Sequence, residues 1–515
     1  MSLKYDCVVI GSGNAGSSAA LSAIEHGCKR VLVVEKAPVE WAGGNGYFTA
    51  GAYRTTHTGL ADLLPIVTNV SSEQADKIDM DPYTREDFVG DVMRLSGGRS
   101  DPKLVDAVVD NSRDAVRWLA DKVKVPFIFS FHRQAYQVGG RQKFWGGLVL
   151  SCENGGIGLM ESHHKALKEA GVEIWFESPA TELLSKDGVI TGVVVNRKGH
   201  ERVEIESPAV ILAAGGFEAN TEMRKKHLGQ EWANAKVRGT PYNTGDGFTL
   251  ASTLRPKLTP DWSGCHSTAW DFNTSSTAGS RLHTNTYTKS GYPLGLMLNS
   301  AGLRFVDEGE DYRNYTYAKF GREILRQPAG YAFQVYDSKV LGMLRKEEYG
   351  DGVVRKIFAD SIEELAEKLH QEEGLEDTKA FVESISKFNE AVVAHRTENP
   401  SLKWDPAVKD GMSTESSRLS LSPPKSNWAL PLDEKPFMAV KITCGITFTF
   451  GGLAIDPETG NVISEETGKI IEGLFCTGEM VGGLFYGNYP GGSGLTAGTV
   501  FGRKAGKAAA KLMKM

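Results

Sequence analysis

The strongest constraint on the fold is the string Gly11-Ser12-Gly13-Asn14-Ala15-Gly16, which follows an apolar run (residues 5–10) and precedes a segment of small residues, Ser17 to His26. A second apolar run from Arg30 closes a βαβ unit and ends on Glu35, at the spacing expected of an acid that binds a ribose hydroxyl. Gly11 permits the tight turn, Gly13 lets backbone approach a pyrophosphate, and Gly16 lets helix and strand pack. The helix opening at Asn14 and Ala15 adds unpaired N–H groups and partial positive charge. The motif predicts a dinucleotide site on an α/β sheet, without separating NAD from FAD.

A chain of 515 residues is too long for one ordinary core, so a large domain with an insertion is expected. The hydrophobic (41%) and charged (24%) fractions are those of a soluble globular protein. A net charge of −6, with Lys and Arg scattered among acids, excludes a nucleic-acid partner. Six cysteines lie far apart with no Cys-x-x-Cys pair, which predicts reduced, buried thiols. No signal-peptide pattern opens the chain, no segment approaches the roughly 20 apolar residues of a membrane span, and the basic C-terminal Lys511 to Met515 matches no known address. A cytoplasmic location is expected.

Helices are predicted over 101–121 and 157–170, and strands over 172–176 and 189–196 around the turn Asp187-Gly188. A buried strand from Ala209 ends on Ala213-Ala214-Gly215-Gly216, and residues 55–80 read as a surface excursion. From about 262 to 440 the pattern changes to aromatic and Ser/Thr/Asn-rich loops. A helix there is opened by Ser361-x-x-Glu364, a second spans about 377–395, and a Pro- and Ser-rich return follows over 404–436. The expected division is a nucleotide-binding domain in two segments, 1–262 and 441–515, with a capping domain of mixed α+β structure over 263–440.

Later segments select FAD. Gly43, Gly44 and Asn45 come just past Glu35 and Lys36, where FAD enzymes run backbone along the pyrophosphate and flavin; Ala214 and Gly215 supply another close approach. A strand finishing in Gly478-Glu479 precedes Gly492, Ser493, Gly494, Leu495 and Thr496, which open a C-terminal helix whose dipole suits the flavin's pyrimidine ring. Ala180 and Asp246 complete the expected cofactor contacts.

Several longer strings resemble the fumarate reductase/succinate dehydrogenase flavoprotein superfamily, and within it the tricarballylate dehydrogenases and their relatives. They are Gly43-Gly44-Asn45, Phe144-Trp145-Gly146-Gly147, Ser263-Gly264-Cys265-His266, the stretch from Arg304-Phe305 through Glu308 to Tyr312-Arg313, and Asn488-Tyr489-Pro490-Gly491. The resemblance implies a two-segment Rossmann-like FAD domain with an inserted cap. It also implies hydride exchange between flavin N5 and one carbon of a C–C bond activated by a carboxylate or carbonyl, with an acid/base at the adjacent carbon. His266 falls at the family's carboxylate-binding histidine, and Arg313 within a residue of its proton-shuttling arginine. Phe448 replaces the second histidine and Tyr489 the C-terminal arginine. A tyrosine before Pro-Gly is also similar to the base of the ketosteroid dehydrogenases. No histidine matches the family's covalent flavin attachment, so noncovalent FAD is expected.

Losing a histidine and an arginine makes fumarate itself a poorer substrate and shifts the reading towards dehydrogenation, with Tyr489 or Arg313 as base; a Tyr489 base requires a lowered pKa. Tyr312, Phe448, Tyr136 and Arg141 are the expected substrate contacts, with Tyr242 a further candidate. Each has a bland counterpart: His266 as a satisfied loop histidine, Arg313 paired with Asp311, Tyr489 as packing. His163-His164 reads as surface, Cys265 as a buried thiol, and no metal site is expected. The reading is an FAD-dependent oxidoreductase acting on a tricarballylate-like organic acid, with an unidentified electron acceptor. Alternatives are desaturation of a larger apolar ketone or enone, fumarate-type ene reduction, and a flavin electron carrier without a substrate of its own.

Overall fold

The computed structural model describes residues 3–275 and 277–513; Lys514 and Met515 of the basic C-terminal string lie outside them. The central sheet has six strands in the order Glu173–Trp175, Val31–Val34, Cys7–Ile10, Val210–Leu212, Ile470–Cys476 and Asn461–Ile463. The first five run parallel and the last antiparallel. Cys7–Ile10, Val31–Val34 and Val210–Leu212 are buried at every position, which is why they read as continuous apolar runs rather than alternating ones.

Beside this sheet the fingerprint helix, Asn14–His26, packs along the C-terminal helix, Ser493–Leu512. Gly498, Gly502 and Gly506 recur at one-turn intervals on the contact face. A Cβ on Gly502 would stand 2.6 Å from the Ala15 carbonyl oxygen, and one on Gly506 2.2 Å from that of Ala19. The facing residues, among them Ala15, Ser18, Ala19 and Ser22, are small as well. Two helices from opposite ends of the chain thus approach at backbone distance, which locks the last segment onto the dinucleotide turn.

A four-stranded sheet joins Leu3–Lys4, His200–Glu206, Val189–Arg197 and Ala180–Lys186. Here the sequence reading needs correcting. The hairpin across Asp187-Gly188 pairs Val189–Arg197 with Ala180–Lys186, while Glu173–Trp175 belongs to the central sheet. Ala180–Lys186 is largely exposed, so it carried little apolar signal. The expected helices are present as Pro102–Trp118, continued by a π-turn over Leu119–Val123, and Gly155–Glu169. Asp101 caps the former by accepting from the N–H groups of Lys103 and Leu104.

The cap is built on one long strand, Phe437–Thr449. Lys236–Val237, Cys265–Asp271, Ala332–Tyr336 and Ile357–Ala359 all pair with it, and Leu296–Asn299 extends the sheet beyond Ala332–Tyr336. The helices Ile362–Glu373 and Thr378–Glu398 cover it through Leu365, Leu369, Phe381, Ile385 and Phe388. Ser361 accepts from the Glu364 N–H as expected, but Glu364 reaches back to the Asp360 N–H, one residue before the usual partner. Both boundaries read from composition divide this sheet: Lys236–Val237 precedes residue 262, and residue 440 falls inside Phe437–Thr449. The architecture is an α/β FAD-type domain from both ends of the chain with an α+β cap between them. The six cysteines are buried and unpaired, and no helix among the described residues is long and apolar enough to cross a membrane.

Candidate active site

Between the C-terminal ends of the parallel strands and the cap lies a cavity of about 1900 Å³, its open mouth included. Gly11, Gly13, Asn14, Ala15, Glu35, Lys36, Ala180 and Asp246 line one half; His266, Arg313, Phe448 and Tyr489 line the other; Gly44, Asn45, Ala214, Gly215, Glu479, Gly492, Gly494 and Leu495 also contribute to its wall. Two helix N-termini open onto it, at Gly13 and at Gly492, and neither has a side-chain cap. The Ser493 N–H turns back to the Pro490 carbonyl (3.2 Å), while the first-turn N–H groups of Asn14, Ala15, Gly494 and Leu495 are available to an anion. Bare backbone faces the space as well: a Cβ on Gly13 would meet nothing nearer than 3.4 Å, and on Gly44 nothing nearer than 3.9 Å. A long dinucleotide with a pyrophosphate in its middle fits this wall.

Glu35 accepts from the Ser12 N–H (3.0 Å) and hydroxyl (2.8 Å) and from the Ala37 N–H (2.9 Å), which fixes its carboxylate in the cavity wall. Lys36 pairs with Asp246 and donates to Thr244 at 2.6 Å, closing the rim of that half. Tyr242 lines the same cavity next to Trp41. Four expected contacts lie outside the lining. Gly16 packs on the Gly11 carbonyl, and Gly43 donates to the Ser12 hydroxyl. Ser493 and Thr496 spend their hydroxyls on the carbonyls of Pro490 and Arg54. These residues shape the turns around the cavity.

Near the middle, two carboxyls share a buried site. Asn45 and Asn243 both donate to Glu218, while Glu479 accepts from the Thr449 N–H (2.7 Å) and hydroxyl (2.9 Å). Burial pushes the Glu479 carboxyl up to about 7; burial and then the facing Glu479 push Glu218 well above its ordinary value. The pair therefore keeps at least one proton at neutral pH. Asn45 also donates to the Thr447 carbonyl and accepts from the Thr240 N–H, so its amide ties three segments together.

At the far end His266 and Phe448 are direct partners across antiparallel strands. The Tyr489 ring stands 5.3 Å from His266, 5.8 Å from Phe448, 5.5 Å from Phe450, 5.3 Å from Phe485 and 6.3 Å from Tyr317. Burial raises the Tyr489 pKa well above its ordinary value; Arg238 and Arg54 pull the other way and lose. The lowered pKa expected of a Tyr489 base is thus not what its surroundings produce. Burial, reinforced by Arg238, drives the His266 pKa far down, so its imidazole is neutral, and its Nδ1 is buried without a partner.

Sequence reasoning missed the charges that surround this end. Arg133, Arg238 and Arg345 join Arg313 in the lining. Arg238 donates to Thr447 and Asn285, both at 3.1 Å, and like Arg313 forms no ion pair among the described residues. The expected Asp311–Arg313 pair does not form: Asp311 takes Arg94 (2.7 Å) and Lys409 (3.3 Å), while Arg313 donates to the Arg133 carbonyl and lies over Trp145. Tyr136 and Tyr312 flank Trp145 in a small adjoining pocket that Arg313 shares. Arg141 lines neither cavity: its side chain is exposed and pairs with Asp79 at 2.6 Å, a surface ion pair in place of the expected substrate contact. His163 is likewise not on the surface: it is fully buried, its Nε2 3.0 Å from Asn14 Oδ1, and burial lowers its pKa to about 3. Cys265 is a buried thiol whose pKa burial raises.

The fold and this cavity define a flavoprotein of the two-segment, capped kind. The chain belongs to the FAD_binding_2 family (FAD binding domain), whose model matches residues 6–58 and 67–495. It is 28% identical over 520 residues to a fumarate reductase (cytochrome) of Shewanella frigidimarina, covering 99% of this chain and 77% of that one. It is also 28% identical over 593 residues to a 4-oxocyclohex-2-ene-1-carboxylate 5-dehydrogenase of Sinomonas cyclohexanicum, covering 99% and 94%. Among solved structures, the open conformation of a flavocytochrome c3 fumarate reductase superposes with a TM-score of 0.70 at 25% identity, covering 99% of this chain and 78% of that one. The protein is an FAD-dependent oxidoreductase of this family, similar in sequence and fold to the fumarate reductase flavoproteins.

Proposed function

We propose that the protein reduces, and in reverse dehydrogenates, a C–C bond next to a carboxylate in a small organic acid, with a tricarballylate-like polyacid as the leading case. The observation that carries this is the cluster of His266, Tyr317 and Tyr489, whose rings stand 4.7–6.3 Å apart on the wall of the cavity that Arg238 also lines. Bound FAD supplies the hydride-exchanging ring. Arg238 and His266 would hold and polarise the carboxylate or carbonyl conjugated with the bond, as charge-assisted and neutral donors respectively. Tyr489, held protonated, would hand its proton to the adjacent carbon, and Tyr317 would stabilise the resulting phenolate by donating to it. Phe448, Phe450 and Phe485 exclude water around that proton. The raised tyrosine pKa keeps the hydroxyl loaded with its proton at neutral pH.

The names of the relatives support the bond type, since they include reduction of fumarate and dehydrogenation of an oxocyclohexene carboxylate. A large apolar ketone is the weaker occupant, because it would leave the lining guanidiniums of Arg238 and Arg313, which have no ion-pair partner among the described residues, without counter-charge. A cytoplasmic setting is part of the same proposal and suits six buried, unpaired thiols. The test is consumption of a reduced viologen dye by the holoprotein with each of a set of enoic acids and enones. Turnover with an acid is expected; turnover confined to enones, or none at all, overturns the proposal.

A further inference from the structure

Resting on the reading just given, the charge balance around Arg133 says more about the substrate. Arg133, Arg238, Arg313 and Arg345 all line the reactive half of the cavity, against one carboxylate in direct contact, Glu348. Glu348 is fully buried and already committed: Arg345 lies 2.7 Å away, and the Ser290 N–H (2.9 Å) and hydroxyl (2.6 Å) both donate to it. Arg133 reaches it only at 3.5 Å, and the Arg133 guanidinium makes no hydrogen bond among the described residues. The Nε–H groups of Arg238 and Arg345 are buried with no acceptor. Burial, and then mutual repulsion with Arg345, pushes both Arg133 and Arg313 down to about 10. Buried cations in excess over anions are costly unless a ligand brings the missing charge.

We propose that Arg133, Arg313 and Arg345 form a second anion subsite, separate from the Arg238–His266 end, so that the substrate carries an anionic oxygen group beyond the carboxylate or carbonyl that activates the reacting bond. Both carboxylate and phosphonate-like groups satisfy this chemistry. A purely structural cluster would be expected to close its charge within the protein, as Arg304 does with buried Glu308 in the cap.

The test uses the oxidised holoprotein, in which enoic acids bind without an electron source to turn them over. Ligand-induced rise in unfolding temperature and perturbation of the flavin spectrum are read for crotonate, with one charge, glutaconate, with a distal second carboxylate, and phosphonocrotonate, with a distal phosphonate. The doubly anionic acids are expected to bind at least about tenfold more tightly than crotonate. Arg133→Gln should erase that preference, weakening glutaconate and phosphonocrotonate at least about tenfold more than crotonate, and Arg133→Lys should restore part of it. The tighter of glutaconate and phosphonocrotonate identifies the second group. Equal binding of crotonate and both dianions, or an equal loss for all three in Arg133→Gln, overturns the subsite. If Arg133→Gln lowers the ligand-free unfolding temperature so far that it cannot be titrated, the wild-type preference and Arg133→Lys decide. Because no turnover is involved, a failure here leaves the reaction proposed above standing, and the reverse also holds.

Discussion

At Tyr489 burial and charge act in opposite directions: enclosure by His266 and the phenylalanine rings favours the neutral phenol, Arg238 and Arg54 favour the phenolate, and enclosure wins. Tyr489→Phe removes the proton and little else. Flavin content and spectrum should be unchanged, while stopped-flow reoxidation of the reduced flavin by substrate should slow about 100- to 10,000-fold; an unchanged rate removes Tyr489 from the proton step. At Glu479 the sign of the pH effect follows from a folded pKa raised to about 7. The carboxyl's contribution to stability is complete below its ordinary range and is lost as pH rises to about 7. The unfolding temperature of wild type should therefore fall more between pH 5 and about 7 than that of Glu479→Gln; parallel profiles would contradict the assignment. His266 and Tyr489 were singled out by long specific strings and Phe448 by its departure from the family's histidine, and all three line the cavity. Tyr317 was missed although it lies one helical turn beyond Arg313, on the same face. Arg238 follows a two-residue strand with no pattern of its own. Arg141 misled because an arginine near an aromatic segment looks the same in a pocket and on an exposed hairpin.

Elements with a strong local cause were readable, and those set by distant contacts were not. The fingerprint helix, the Asp101-capped helix and the buried parallel strands announced themselves through glycine spacing, capping and apolar runs. Ala180–Lys186 owes its strand to pairing, since its own residues are mostly solvent-facing. The long strand Phe437–Thr449 crossed the boundary that composition placed at residue 440, because it serves the cap at one end and supports Glu479 at the other. The glycine repeat in the C-terminal helix is the element-scale cause of the whole arrangement. Gly506→Leu must push the helix off the Ala19 backbone, so a loss of about 1–3 kcal/mol is expected from overpacking, with weaker FAD retention. Chemical denaturation and flavin content after gel filtration check this; a stable, fully loaded variant would show that the contact is not needed.

Over the whole molecule, the two ends of the chain make one cofactor domain and the middle of the chain closes over it, so the dinucleotide turn and Tyr489 meet in one cavity despite lying at opposite ends of the sequence. The turn alone indicated a dinucleotide; the convergence of Gly13, Glu479 and Gly492 on one wall indicates FAD, and the arginines of the far end restrict what reacts there. The central claim is that the reduced cofactor passes its electrons to a C–C bond beside a carboxylate. The most direct measurement is an anaerobic titration of the photoreduced holoprotein, followed at the flavin absorbance band, with fumarate, glutaconate, aconitate and a cyclic enone. Stoichiometric return of the oxidised spectrum with an unsaturated acid, and appearance of its saturated product, is the predicted result. A flavin that stays reduced with every acid, while the enone reoxidises it or nothing does, would contradict the account.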